Sequence, residues 1–182
     1  MMDLRKFLDF RRFGAARSGL AALEFAIILP MMVFLLLGSV DLLDALSVNR
    51  RAENVAASLA DVVARDTAVS NSEMSGIWSA LTLLMYPGTD ATMSERVTSI
   101  NITSATNAVV VWSEAQHGIS PLAANSTVTL PAQMMVAGTS VIRADTVYHY
   151  QSPLNFLYSG TIDFPHTVYR RSRLVDPIPR VP

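Results

Sequence analysis

Three histidines, His117, His149 and His166, are the first candidates for chemistry. None has a second histidine four residues away or an acid at ligand spacing, so no metal site is expected. Cysteine is absent. That removes a thiolate nucleophile, a zinc–thiolate cage and disulfides. No Gly-x-Ser-x-Gly, phosphate loop or dinucleotide fingerprint occurs. The acids of the later chain are scattered and offer no general acid–base pair. Arg170-Arg171-Ser172-Arg173 reads as a solvated basic surface, with an anionic partner as the sharper alternative. The chain is therefore expected to be no enzyme, to carry no cofactor and to bind no nucleic acid. The one residue in a chemically demanding place is Glu24. It interrupts a stretch that is otherwise apolar or small from Leu20 to Val40. A carboxylate there costs up to a few kcal/mol in hydrocarbon, less near a helix end, and an acid in such a place points to function.

The element that must carry Glu24 follows from length. As a helix, Leu20–Val40 rises about 1.5 Å per residue and spans roughly 31 Å, the hydrocarbon thickness of a bilayer. A buried helix of a soluble domain would be shorter and show a polar face. A cleavable secretory signal is the other rival. Its apolar core would be shorter, and Gly38-Ser39-Val40-Asp41 is a poor cleavage site for it. Pro30 falls inside the run and is expected to kink the helix, since it cannot donate to the carbonyl of Ala26. Asp41 and Asp44 mark the expected exit into water.

Charge sets the expected orientation. Of 182 residues, 51% are hydrophobic and 16% charged, and the net charge of −1 is unevenly placed. Residues 1–19 carry +3, with Arg5, Lys6, Arg11, Arg12 and Arg17, and the remainder carries −4. Phe7, Leu8, Phe10 and Phe13 interleave with these cations. The basic flank stays cytoplasmic by the positive-inside rule. The expected organisation is a basic leader over 1–19, a transmembrane helix over 20–43 and a periplasmic domain over 44–182.

Beyond the membrane the pattern stays helical to about Arg65. Leu42, Leu46, Val55, Leu59, Val62 and Val63 recur at three- and four-residue spacings, with Ala45, Ala52 and Ala56 between them. A break near Asn49–Arg51 fits the same pattern. Ser70 and Glu73 have capping-box spacing ahead of a second helix from about Ser72 to Met85. Tyr86-Pro87-Gly88-Thr89-Asp90 then reads as a turn. Strands are expected over Arg96–Thr103 and Ala108–Ser113, joined as a hairpin, and over Thr139–Tyr150. A last strand is expected from Thr167 to Leu174, with a short helical turn over 131–138. Pro177, Pro179 and Pro182 are expected to end regular pairing. The fold class is α+β: a long N-terminal helix, a second helix and a small antiparallel sheet.

The N-terminal arrangement resembles the processing site of type IV prepilins: a basic leader, Gly19, then an apolar helix with Glu24 fifth after the glycine. The run Glu24-Phe25-Ala26-Ile27-Ile28-Leu29-Pro30 resembles the signature of the TadE-like minor pseudopilins of tight-adherence (Tad, Flp-type) pilus systems. The family's glutamate, aromatic and proline fall on Glu24, Phe25 and Pro30. Leu20 stands where many type IV pilins carry Phe or Met, and Phe25 where Flp-type pilins usually show Tyr. The resemblance implies cleavage by a prepilin peptidase between Gly19 and Leu20. It implies an assembly role for Glu24 and Phe25 in pilus biogenesis and adhesion. The implied partners are the peptidase, the major pilin and other pseudopilins, the inner-membrane assembly platform and the lipid bilayer. An uncleaved single-pass scaffold with a periplasmic domain is the alternative, and a membrane-tethered periplasmic enzyme a further one.

Overall fold

The structure is a computed structural model that describes residues 17–87 and 92–182. The aromatic and basic residues of the leader up to residue 16, and the turn residues Gly88, Thr89 and Asp90, lie outside the described residues.

One helix, α1 (Arg17–Ala64), carries the whole first third of the chain and runs through Pro30 without interruption. It does not break at Asn49–Arg51, where the sequence allowed it to. The reason is tertiary: Val48, Ala52 and Val55, on either side of that point, are all buried on one face. The helix ends in a tightened turn, with Arg65 N and Asp66 N donating to the carbonyls of Val62 and Val63, each at 3.2 Å. Helix α2 (Asn71–Leu84) starts at the expected capping box. Glu73 N donates to Ser70 Oγ at 3.3 Å, and Ser70 N donates to Glu73 Oε2 at 2.7 Å. These bonds from Ser70 hold the Glu73 carboxyl below its usual range.

Four antiparallel strands follow: β1 (Met93–Ser104), β2 (Asn107–Gln116), β3 (Thr139–Gln151) and β4 (Thr161–Arg171). Their order in the sheet is β2-β1-β3-β4. The β1–β2 hairpin closes at Ser104 and Asn107, as expected from its turn. The expected helical turn is a 3-10 turn, Ala132–Met134. Strand β4 begins at Thr161, well before the expected Thr167, and passes through Pro165. Proline is tolerated because β4 is an edge strand and one row of its amides has no partner strand.

The pleat of β3 decides what each face does. Ile142, Ala144, Thr146, Tyr148 and Tyr150 share one face, and the first four pair in register with Ser99, Val97, Glu95 and Met93 of β1. The second half of α1 lies on this face, with Val55, Leu59 and Val63 in one core with Val97, Ile142 and Ala144. The opposite face holds a smaller core of Ile100, Ile102, Ala108, Leu130 and Val141, covered by the loop between β2 and β3. Farther along this face Asp145 accepts from Arg96 Nη2 at 2.9 Å, Arg143 Nε at 2.9 Å and Thr167 Oγ1 at 2.7 Å. These donors compensate the burial of its charge.

One sequence expectation, that for Asp41, needs correction, and two further features lie beyond what local pattern shows. Leu42, Leu46 and Val62 do not face the domain core but are exposed, while Ala52, Ala56 and Ala60 are fully buried. Methyl groups let the helix axis approach the sheet closely, and the branched residues turn outward. Asp41 does not meet water: it is 4% exposed. The proline-rich tail, though it forms only an isolated bridge between Val69 and Arg180, is packed into the molecule. Ile178 is fully buried, and its carbonyl accepts from Trp112 Nε1 at 2.8 Å and Ser99 Oγ at 3.2 Å. Arg180 then ties Glu114 Oε1 at 3.1 Å to Asn71 Oδ1 at 2.6 Å.

Candidate functional site

Up to Val33 the first half of α1 is exposed along its length. Gly19–Ala64 is the one helix among the described residues that is long and apolar enough to cross a membrane, and its apolar part is unburied. Leu23, Ile27, Met31, Phe34 and Leu35 are all more than half exposed. Each such side chain gains roughly 1.5–3 kcal/mol when it leaves water, so this surface requires an apolar surrounding.

The proposed processing and assembly residues lie on this segment. Gly19 sits in the first turn of α1, and a Cβ placed there would meet nothing within 4 Å. Leu20 and Phe25 are exposed. Glu24 is exposed as well, and among the described residues it has no hydrogen bond or ion pair. Pro30 lies within the helix, surrounded by exposed apolar neighbours. The structure thus strings these five residues along one free helix.

The junction between the exposed apolar segment and the domain is densely bonded. The connection from β3 to β4 folds against the helix at Asp41. Asp41 Oδ1 accepts from Ser152 Oγ at 2.7 Å, and Oδ2 accepts from the amides of Phe156 at 3.0 Å and Leu157 at 3.1 Å. One turn on, Tyr150 OH donates to Asp44 Oδ2 at 3.1 Å. Burial and the neighbouring Asp44 push the Tyr150 hydroxyl up to about 12. Farther along, His166 Nε2 lies 3.0 Å from Asn49 Oδ1. Sequence reasoning missed this clamp because its partners are more than a hundred residues apart. The one legible signal was a pair of acids placed directly after an apolar helix.

Two clusters bear on other chemistry. Ser94, His149 and Asp163 come together across β1, β3 and β4, although their sequence spacing gave no hint of it. His149 Nδ1 is 2.7 Å from Asp163 Oδ1, and Nε2 is 3.4 Å from Ser94 Oγ. The order of groups is that of a nucleophilic triad, but the roles do not fit. The Ser94 hydroxyl donates to the carbonyl of His117 at 2.5 Å, so its proton is not directed at the imidazole. The Asp163 side chain is 60% exposed, which leaves it screened by water rather than held as a buried orienting charge. The cluster ties three strands together. In the Arg170–Arg173 stretch, Arg173 Nη2 bonds Asp61 Oδ1 of α1 at 2.6 Å, beside the helical pair of Asp61 and Arg65. No group of acids and histidines able to hold a metal ion occurs among the described residues.

Residues 19–61 match the family model for TadE-like proteins. No curated protein and no solved structure matches the chain. The matched stretch begins at Gly19, includes Glu24, Phe25 and Pro30, and ends on the part of α1 that lies against the sheet. Across residues 19–61, from the exposed apolar segment into the helix that carries the domain, the chain is similar to TadE-like proteins.

Proposed function

We propose that this chain is a minor pseudopilin of a Tad-type pilus system, held in the bacterial inner membrane by residues 20–43 with residues 44–182 in the periplasm. A prepilin peptidase cuts between Gly19 and Leu20. The freed Leu20 amine is cationic and pairs with Glu24 of a neighbouring pilin-like subunit. The observation that carries this reading is the exposed Glu24, which has no partner among the described residues, on an apolar helix that matches the TadE-like family. A carboxylate at that depth is costly alone, and a cation from a second helix offsets part of the cost while fixing axial register. Within this reading Phe25 packs beside that contact, and the rest of the apolar helix meets lipid, the major pilin or other pseudopilins at the assembly platform.

N-terminal sequencing of the protein from cells with an intact pilus system tests the processing step. A mature chain starting at Leu20 is expected, and Gly19→Val should retain the leader. A wild-type protein that keeps Met1 or Met2 would leave the uncleaved scaffold as the better account. Glu24→Leu tests assembly separately. Membrane insertion and protein level should hold, because the change removes a penalty of up to a few kcal/mol, while piliation falls. Normal piliation at wild-type protein level would remove Glu24 from the assembly contact.

A further inference from the structure

The connection between β3 and β4 carries a surface that the pseudopilin role leaves unassigned. Residues 152–160 read Ser-Pro-Leu-Asn-Phe-Leu-Tyr-Ser-Gly, with no charged residue. Leu154, Phe156, Leu157 and Tyr158 are between 39% and 49% exposed. Four neighbouring large apolar side chains turned to water on one short loop is an unusual surface for a soluble domain.

The helix beside the loop acts as a depth gauge. The Phe156 ring lies 5.3 Å from the ring of Phe34. Leu157 packs on Gly38, where an added Cβ would come within 3.3 Å of its Cδ2. Phe34 is six residues before Val40, the end of the apolar run, so it sits about 9 Å inside that boundary. When α1 crosses a bilayer, a side chain touching Phe34 is at hydrocarbon depth. We propose that the 152–160 loop is a second membrane contact, with Leu154, Phe156 and Leu157 inserted among the acyl chains of the leaflet next to the domain and Tyr158 at the headgroup boundary.

Irregular backbone at that depth is tolerated only when its polar groups are satisfied by protein. Asp41 supplies this for the amides of Phe156 and Leu157, and Ser152 Oγ accepts from Asn155 N at 3.0 Å. The buried carboxylate that seemed misplaced at a water boundary thus has a reason to be there. It closes off the loop's backbone and leaves its side chains facing outward. With α1 and the loop both anchored, the domain is held at a fixed height and tilt above the membrane instead of swinging about one helix.

The proposal rests on the spanning reading of α1, and a label at Ile28 tests that reading separately. The chain has no cysteine, so each introduced one is unique. The full chain is reconstituted in phosphatidylcholine–phosphatidylglycerol vesicles with a nitroxide at Ile28→Cys, Leu154→Cys, Phe156→Cys or Val136→Cys, the last an exposed site in the loop before β3. Power saturation then compares collision with oxygen, which concentrates in hydrocarbon, and with a water-soluble nickel chelate. The labels at Leu154 and Phe156 should show an oxygen-to-chelate ratio severalfold above that at Val136 and close to that at Ile28. A ratio at both loop sites equal to that at Val136, with Ile28 still lipid-like, overturns the loop contact and leaves the span intact. A chelate-accessible Ile28 overturns the span itself. Loop labels shielded from both reagents mean that protein, not lipid, covers the loop, and also overturn the proposal. Tyr158→Cys provides a loop site that leaves Phe156 and Leu157 in place, and it should report an intermediate depth.

Discussion

The two halves of α1 share one backbone and face opposite solvents. From Gly19 to Val40 nearly every large side chain is exposed. From Asp41 to Ala64 the helix buries Val48, Ala52, Val55, Ala56, Leu59, Ala60 and Val63 against a sheet and keeps Leu42, Leu43 and Leu46 outside. Hydrophobicity therefore has two meanings on one helix. In the first half it marks surface that needs lipid or another helix. In the second half the small apolar residues mark the packing face, because close approach to a pleated sheet favours alanine over leucine. The difference shows that the apolar half touches the rest of the described molecule only near its end, at Phe34 and Gly38, whereas the domain half is held by specific complementarity.

Truncating matched leucines should break the two halves very differently. Leu59→Ala removes a fully buried side chain from the main core and should cost about 2–5 kcal/mol. Leu35→Ala, in the exposed membrane segment, should leave domain unfolding within about 0.5 kcal/mol of wild type. Denaturant unfolding in mild detergent, followed by the buried Trp112, measures both. Equal losses would show that the first half also packs on the domain.

The boundary between the halves is sharpened by Asp41→Ala. Without the carboxylate the amides of Phe156 and Leu157 lose their acceptor. Their hydrogen exchange should speed up by on the order of tenfold, because a bond to a charged group contributes at least that much to the local opening equilibrium. Exchange at the core strand amides of β1 should stay unchanged. A uniform increase across the sheet would mean that Asp41 supports the whole domain rather than the junction.

A smaller effect is expected at high pH, one turn farther along. The Tyr150 hydroxyl is raised from 10.0 to about 12, chiefly by burial and then by its bond to Asp44. A raised folded value favours the neutral form. The stabilisation is present below pH 10 and is lost as pH climbs through about 12. Domain stability should fall across that window, and Tyr150→Phe should flatten this part of the dependence. The membrane half has no tyrosine, so insertion should not follow the same curve. An unchanged slope in Tyr150→Phe would assign the alkaline loss to another group.

Local pattern carried much of the architecture. Apolar length announced the long exposed helix, Ser70 and Glu73 announced the start of α2, and alternation in Thr139–Tyr150 announced β3 and its two faces. These signals are local, since period and capping act within a few residues. The resemblance over Gly19–Pro30 pointed to the TadE-like family from the same short stretch. What local pattern could not supply was every feature made by distant partners. It could not say which apolar residues at helical spacing stay outside, Leu42, Leu46 and Val62 among them, and it put Asp41 in water because an acid after an apolar run commonly ends a membrane helix. It saw the prolines of the tail and missed Ile178, whose burial depends on Trp112 and Ser99.

The same division applies to the chemistry. Glu24 on an apolar helix was evident from residue types alone, because the cost of a charge in hydrocarbon depends on depth and not on which domain follows. The grouping of Ser94, His149 and Asp163 and the clamp from Asp41 to Ser152, Phe156 and Leu157 exist only once strands have paired and the β3–β4 connection has closed on α1. Their spacing in sequence is set by the lengths of intervening strands and loops, which carry no signature of the contact. Hydrophobic period and charge placement act along the chain and could be read there. Register, close approach and buried hydrogen bonds act across it, and they required the folded molecule.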